Sequence, residues 1–185
     1  MYGIPLWSKC ILKYDPINDV NSFVGEVADK SFNCPANGAL GRDGCIYAFV
    51  AKGEVLKIDT RNNYHCYVGK YIPHHVKISS WGNVILGIDG CIYWPPVDAG
   101  CTLKYDPHTD QTSLVGDNFE SDIIDKWYGG ALAADGIIYC IPPNANQVLL
   151  VAIDPLRGFR DNKGQHGGGS SREHRNSLSD KNRGR

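Results

Sequence analysis

The stretch Asp43-Gly44-Cys45-Ile46-Tyr47 occurs three times in this 185-residue chain, again as D-G-C-I-Y at residues 89–93 and as D-G-I-I-Y at residues 135–139. The copies begin 46 residues apart each time. Three copies of D-G-x-I-Y at constant spacing indicate an internal repeat, and a period of this length is typical of architectures built from one supersecondary unit.

Two further landmarks accompany the repeat. An x-Leu-Lys-apolar-Asp motif occupies residues 11–15, 55–59 and 102–106, with a looser copy at residues 150–154. Two apolar residues followed by Gly close three of the units, at residues 23–25, 67–69 and 114–116. The unit therefore has about 46 residues and three landmarks.

Each landmark predicts β structure. Asp-Gly between apolar stretches is the preferred two-residue hairpin connection, because a type I′ turn needs positive φ at both central residues. The alternation of Leu-Lys-Ile-Asp predicts a half-buried strand, and the following Pro or Thr starts a turn. With the segment ending in Gly as a fourth strand, the unit is a four-stranded antiparallel meander. We interpret Asp43, Asp89 and Asp135 as turn residues, because Gly follows each of them.

The two ends of the chain differ in charge. The last 30 residues hold eight of the 19 Lys and Arg residues but three of the 20 Asp and Glu residues, so they carry +5 and the first 155 residues carry −6. Residues 156–185 are also rich in Gly and Ser and poor in large apolar side chains, which predicts a disordered basic tail after a repeat region at residues 1–155. The tail lacks the interleaved aromatic residues that stack on bases, so nucleic-acid binding is not expected.

Composition and cysteine usage narrow the class of protein. The net charge of −1 excludes a globally basic nucleic-acid binder. No apolar run approaches the roughly 20 residues needed to cross a bilayer, so no membrane association is expected. The N-terminus shows no secretory pattern, and the seven cysteines never form C-x-x-C. These features predict reduced thiols in a cytoplasmic protein.

These units resemble β-propeller blades of the broad kelch and YVTN type, in which a D-G-x-I-Y hairpin and an L-K-I-D-P strand recur once per blade. The resemblance covers roughly residues 2 to 155. It implies an all-β partial propeller of four-stranded antiparallel blades. It also implies a binding platform in most such proteins, and in a minority an enzyme such as a lactonase or a lyase.

The register of the repeat places both ends of the chain inside blades. Aligning residues 2–5 with residues 139–142 leaves the first unit without its innermost strand, and the last unit stops before its fourth strand. The 155 residues of the repeat region correspond to about 3.4 units, whereas closed propellers have about four to eight blades. We therefore expect an open arc, a segment of a larger propeller or one that self-associates to complete the ring.

The candidate ligand-binding residues lie in loops that differ between units: His75, Trp81, Asp98, Trp127 and Asn144. The residue types of the His74-His75 pair suit a metal or proton-transfer site, but adjacent residues of an extended chain point apart and no third ligand stands at a spacing typical of a metal site. The two tryptophans form either an aromatic rim for a ligand or packing between blades. No catalytic or metal-binding residues are assigned, and no cofactor is expected.

The sequence thus predicts a non-enzymatic repeat module that binds a protein or a small ligand through its variable loops. The alternative is a fragment of a propeller enzyme of lactonase or lyase type, with His75, Asp98 and Asn144 around the channel. The alternative requires these side chains to converge within about 5 Å in one channel.

Overall fold

The computed structural model describes residues 1–5, 8–26, 37–50, 54–69, 81–119 and 122–154, and these form fourteen β-strands in four separate sheets. Unit 1 contains β1 (Tyr2–Gly3), β2 (Cys10–Asp15) and β3 (Val20–Glu26). Unit 2 contains β4 (Gly38–Leu40), β5 (Cys45–Phe49), β6 (Val55–Asp59) and β7 (Tyr64–Val68). Unit 3 contains β8 (Ile85–Leu86), β9 (Ile92–Trp94), β10 (Thr102–Asp106) and β11 (Gln111–Val115). Unit 4 contains β12 (Gly129–Leu132), β13 (Ile137–Ile141) and β14 (Leu149–Ala152).

Every unit is an antiparallel meander whose strands pair in chain order, as the sequence predicts. The register of unit 1 is also confirmed, because Tyr2 pairs with Lys13 as Tyr47 pairs with Lys57 in unit 2. Unit 1 therefore supplies the second to fourth strands of the repeat, and unit 4 supplies the first to third. No described segment forms a helix that is long and apolar enough to cross a membrane. The expected tail at residues 156–185, and its boundary at residue 155, lie outside the described residues.

The Asp-Gly turn differs from the predicted type I′ form. Residues 41–44 form a four-residue turn in which the Gly44 amide donates to the Gly41 carbonyl at 3.1 Å. Only Gly44, with φ of 81°, is left-handed, and Asp43 keeps negative φ. The same holds at residues 87–90 and 133–136. The physical reason is that the Asp43 side chain accepts the Cys45 amide at 3.1 Å, which fixes a right-handed turn followed by a left-handed glycine.

A second difference lies in unit 4. The looser motif at residues 150–154 aligns by sequence with residues 55–59, but in the sheet Tyr139 pairs with Leu150, where Tyr47 pairs with Lys57. The strand is displaced by two residues, so that Leu150 takes the lysine position and Ala152 takes the position of Asp59. The buried apolar residues of the strand decide its register, because Leu149 occupies the core position of Leu56.

Three apolar clusters form the core, and each lies between two adjacent units. Successive residues of a strand point to opposite faces, so Tyr47 and Phe49 pack toward unit 3 while Ala48 packs toward unit 1. On the unit 3 side, Trp94 and Leu103 belong to the same cluster as Tyr47 and Phe49. Between units 3 and 4 the cluster contains Ile85, Cys91, Tyr93, Trp127, Ile138, Cys140 and Leu149. The repeat is therefore held together face to face rather than through one central core.

Candidate functional site

The polar residues of the repeat are bonded to one another within their own unit. The Tyr47 hydroxyl donates to Asp43 at 2.6 Å, and the Tyr93 and Tyr139 hydroxyls donate to their aspartates at 2.9 and 2.8 Å. The repeat lysine reaches the same carboxylate, at 3.4 Å from Lys57 in unit 2 and at 2.9 Å from Lys104 in unit 3. These contacts explain why Asp, Tyr and Lys recur together. All three residues meet in units 2 and 3, and the Asp and the Tyr meet in unit 4.

The charge of Asp89 is stabilised inside unit 3. Burial alone would raise the pKa of Asp89, but the Lys104 ammonium, the Tyr93 hydroxyl and the Cys91 amide outweigh it, so the pKa lies below its usual value. The Lys104 ammonium also lies 5.4 Å from the centre of the Tyr93 ring. Asp89 is therefore an ionised structural anion at neutral pH, without the raised pKa that suits a general acid.

The aspartates that end each third strand are also structural. Asp15, Asp59 and Asp106 each accept the amide of the residue two positions later at 2.9 Å. Each of these turns ends on a left-handed Asp or Asn, at Asp19, Asn63 and Asp110. The turn predicted after each of these strands is confirmed by these bonds.

Loops of units 3 and 4 that differ in sequence come together on one side of the arc. We call residues 95–100, 122–128 and 142–147 the loop surface. The Lys126 amide donates to the Val97 carbonyl at 2.9 Å, and the Asp125 amide donates to the Asp98 carboxylate at 2.9 Å. The Asn144 side-chain amide donates to the Ile124 carbonyl at 3.1 Å. The segment between the two units is thus fastened to both of its neighbours.

Two predicted site residues, Asp98 and Asn144, therefore contact the same inter-unit loop. Asp98 is half-buried and holds its backbone from unit 3, whereas Asn144 is exposed and holds it from unit 4. Each side chain uses at least one polar group in a hydrogen bond to the backbone of this loop. Their part in ligand binding stays a prediction.

The two tryptophans occupy equivalent positions in units 3 and 4 and lie inside the inter-unit clusters. Trp81 and Trp127 are 1% and 3% exposed, and each indole N–H donates at 2.9 Å to a carbonyl 20 residues further along, that of Cys101 or Gln147. Phe49 packs edge-on against Trp81 with ring centres 5.1 Å apart. The structure places both side chains where the packing interpretation expects them, anchoring the loop surface from beneath.

His75 lies outside the described residues, so its role in ligand binding stays a prediction. Among the residues that are described, no group of three His, Cys, Asp or Glu side chains is arranged to hold a metal ion. Cys45 and Cys91 are buried fillers beside the turns, and burial raises the pKa of these thiols to about 11 and about 12. Each stays a neutral thiol at neutral pH.

The exposed part of the loop surface includes residues that the sequence did not single out. Ile123 and Ile124 are 44% and 67% exposed, and Asp122, Tyr128 and the predicted site residue Asn144 are exposed in the same loops. The only sequence signal was an apolar Ile-Ile pair within a segment of acidic residues. Whether such a pair is buried depends on which loops flank it, and periodicity does not report that.

Two open grooves lie between neighbouring units. One has a volume of about 400 Å³ between units 1 and 2, and the other has a volume of about 390 Å³ between units 2 and 3. The second is the more polar in composition and is lined by Lys57, Asp59, Tyr64, Cys66, Val68, Tyr105, Pro107 and Asp110. Asp59 is already bonded within its own turn, and the Asp110 carboxylate accepts the Gly69 amide of unit 2 at 2.8 Å and the Tyr105 hydroxyl at 3.1 Å.

No known protein family and no curated protein matches this sequence. Solved structures do match its fold. Virginiamycin B lyase from Staphylococcus aureus is similar with a TM-score of 0.56 and 11% identity, over 80% of this chain and 50% of the lyase chain. A catalytically inactive variant of that lyase with quinupristin gives a TM-score of 0.57 and 12% identity, over 82% and 52%. A protein of unknown function from Bacteroides thetaiotaomicron gives 0.52 and 12%, over 80% and 40%.

This chain spans about half the length of the lyase chains that it matches. At sequence identities of 11 and 12%, the similarity shows a shared fold and does not show a shared function. Together with four antiparallel sheets packed face to face, they show that the described residues form part of a β-propeller, with units 1 to 4 as its blades.

Proposed function

We propose that this propeller segment is a non-enzymatic binding module that holds a protein ligand on the loop surface. The observation that carries the proposal is the Ile123-Ile124 pair, exposed at the centre of loops that are hydrogen-bonded to both neighbouring units. Exposed apolar side chains on a fixed backbone are the anchors around which protein interfaces are built.

The division of labour within each unit supports this proposal. The recurring Asp, Tyr and Lys residues of units 2 and 3, and the Asp and Tyr of unit 4, form the contacts described above and so serve the fold. The loop surface varies between units and is fastened by Trp81 and Trp127 from below. A loop held in place by its neighbours loses little conformational freedom when a ligand binds, which favours affinity.

The chemistry of the loop surface specifies the kind of ligand. An apolar centre at Ile123 and Ile124 is flanked by the Asp122 carboxylate and the Asn144 amide, which are exposed. Such a surface suits a protein segment with an apolar anchor and basic or amide groups around it. Asp98 and His75 remain proposed contributors, Asp98 through its hydrogen bond to the Asp125 amide and His75 from the stretch of sequence that precedes unit 3.

The lyase or lactonase alternative has less support. Of its three residues, Asp98 and Asn144 are both bonded to the backbone of residues 124 and 125, one from each side. The lyase neighbours share the fold at 11 and 12% identity, and a fold hosts many functions. No observation in the described residues brings catalytic groups together.

We also propose a reducing, cytoplasmic setting and a repeat of the broad kelch and YVTN type. None of the six described cysteines forms a disulfide, and burial raises the pKa of the Cys140 thiol to about 12. The Tyr and Lys contacts to the Asp of each Asp-Gly turn are the physical content of the D-G-x-I-Y and L-K-I-D motifs, which supports the repeat type.

The test uses a displayed library of random peptides selected on the purified full chain. Selected peptides should bind the wild-type protein and lose at least about tenfold in affinity with Ile124→Asp, which places a charge in the apolar centre. The matched control is Ile17→Asp, because Ile17 is also an exposed isoleucine but lies in the outer turn of unit 1. Peptides that bind the Ile124→Asp variant as tightly as the wild type, or a library that yields none, would overturn the proposal.

A further inference from the structure

The two terminal units expose the faces that the interior units bury. In unit 4, Tyr139 and Ile141 stand at the positions of Tyr47 and Phe49 in unit 2. Phe49 is 5% exposed because unit 3 covers it, whereas Ile141 is 70% exposed. We call the exposed residues Tyr139, Ile141, Val148 and Leu150 the unit 4 face.

Unit 1 exposes the opposite side of the repeat. Leu12 and Phe23 are direct cross-strand partners, and both point away from unit 2, with Phe23 71% exposed. Leu12 holds the position of Leu56, which is fully buried between units 1 and 2. We call Met1, Leu12 and Phe23 the unit 1 face.

The unit 4 face and the unit 1 face are of the two kinds that pack on each other between adjacent units of this chain. Three times within this chain, a face of the unit 4 kind packs on a face of the unit 1 kind and forms an apolar cluster. The unit 4 face is also more apolar than its counterparts. Leu150 stands where units 2 and 3 carry Lys57 and Lys104, so no lysine competes for this surface.

We propose that two copies of this chain associate head to tail, with the unit 4 face of each copy packed on the unit 1 face of the other. Two copies bring eight units, four of them with three strands and four with four, and this number is within the four to eight blades that closed propellers contain. The matched region equals about half of each lyase chain, so two such arcs have about the length of one lyase chain. The association uses the ends of the arc and is independent of the loop surface.

A heterologous contact either closes into a ring or grows into a filament. The proposal is for closure, so the mass in solution should be that of two 20.4 kDa chains and should stop there. Sedimentation equilibrium of the wild-type chain from about 1 to 100 µM measures this, since association shifts with protein concentration. A monomer throughout that range would overturn the proposal, and so would a mass that keeps rising beyond the dimer.

Two single variants test which faces meet. Phe23→Asp places a charge on the unit 1 face, and Ile141→Asp places one on the unit 4 face; both side chains are mostly in solvent, so each variant should fold as the wild type does by circular dichroism. Each variant alone should be monomeric, while Ile17→Asp and Ile124→Asp should remain dimeric. Loss of the dimer in only one of the two face variants would mean that like faces meet, and would overturn the head-to-tail arrangement.

Mixing the two face variants gives the decisive result. The Phe23→Asp chain keeps an intact unit 4 face and the Ile141→Asp chain keeps an intact unit 1 face, so together they should form a one-to-one heterodimer through a single junction. A mixture that stays monomeric, while each variant is folded, would contradict the proposal.

Discussion

Units 2 and 3 are built from the same motif as units 1 and 4, yet their strands are buried differently. All three residues of β9 are buried, and β5 has four of its five residues buried, because a neighbouring sheet covers each face. In β13 buried residues alternate with exposed and half-buried ones, because only unit 3 covers it. The motif thus determines the strand and its hairpin, whereas the position in the arc determines how much of each strand is buried.

The comparison predicts a large difference in stability between equivalent positions. Phe49→Ala should lower the free energy of unfolding by about 3 to 5 kcal/mol, because it leaves a cavity against Trp81 and Trp94. Ile141→Ala, at the same position in unit 4, should change it by less than about 0.5 kcal/mol in the monomer. Urea unfolding of both variants in the Phe23→Asp background, which keeps the chain monomeric, measures the difference. Equal losses would show that the two faces are equally covered.

The lysine and aspartate pairs should differ in the same direction. Lys104→Met should cost about 3 kcal/mol at neutral pH, because it strands the carboxylate of Asp89, which is 4% exposed. Lys57→Met should cost less than about 1 kcal/mol, because the pair with Asp43 is longer, at 3.4 Å, and more open to solvent. Urea unfolding compares the two variants. A larger loss from Lys57→Met would reverse the assignment of the stronger pair to unit 3.

The cost of Lys104→Met should depend on pH. The pKa of Asp89 is lowered in the folded chain, so the stability from its ionised form is present above the ordinary value of 3.8 and is lost as pH falls through the folded pKa. The difference between wild type and variant should therefore shrink as the pH is lowered below about 4. A difference that stays constant from pH 7 to pH 2 would mean that Asp89 is not the partner that matters.

The Asp-Gly turns provide a case in which interior and terminal units should agree. Gly90 and Gly136 have φ of 83° and 82°, and an added Cβ would find its nearest neighbour 3.5 and 3.4 Å away. Gly90→Ala and Gly136→Ala should therefore each cost about 1 to 2 kcal/mol from backbone strain alone. Thermal unfolding of both variants checks this. A negligible cost at either position would show that its turn does not need a left-handed residue.

Much of the fold was predictable from the sequence because its signals are local and repeated. The Asp-Gly turns and the Leu-Lys-Ile-Asp strands lie where they were predicted, and the incomplete first and last units were located by aligning Tyr2 with Tyr139. The turn type was wrong because dipeptide preference does not register that the Asp43 carboxylate binds the Cys45 amide and the Tyr47 hydroxyl. The predicted register of β14 was wrong because it rested on the motif at residues 150–154, whereas the burial of Leu149 in the core determines the register.

The site was less predictable than the fold. Asp98 and Asn144 were predicted as ligand-binding residues because their loops differ in sequence between units. The structure shows that both side chains form hydrogen bonds to the backbone of one loop. Ile124 was missed because its exposure results from how three loops meet, which no pattern in the sequence encodes. Trp81 and Trp127 illustrate the converse, since an aromatic residue at the start of a blade is equally consistent with a rim and with a core until its neighbours are known.

Tyr47, Tyr93 and Tyr139 occupy equivalent positions in units 2, 3 and 4. Hydroxyl-radical footprinting of these tyrosines at low and at high protein concentration tests both the difference in burial between units and the proposed head-to-tail association. Tyr47 and Tyr93 should be protected at every concentration, because their faces are buried within one chain. Tyr139 should be labelled when the protein is dilute and protected when it is concentrated, while Tyr128 on the loop surface is labelled throughout. Labelling of Tyr47 or Tyr93 to the extent of Tyr139 would contradict the packing of the units, and a Tyr139 signal independent of concentration would contradict their head-to-tail closure.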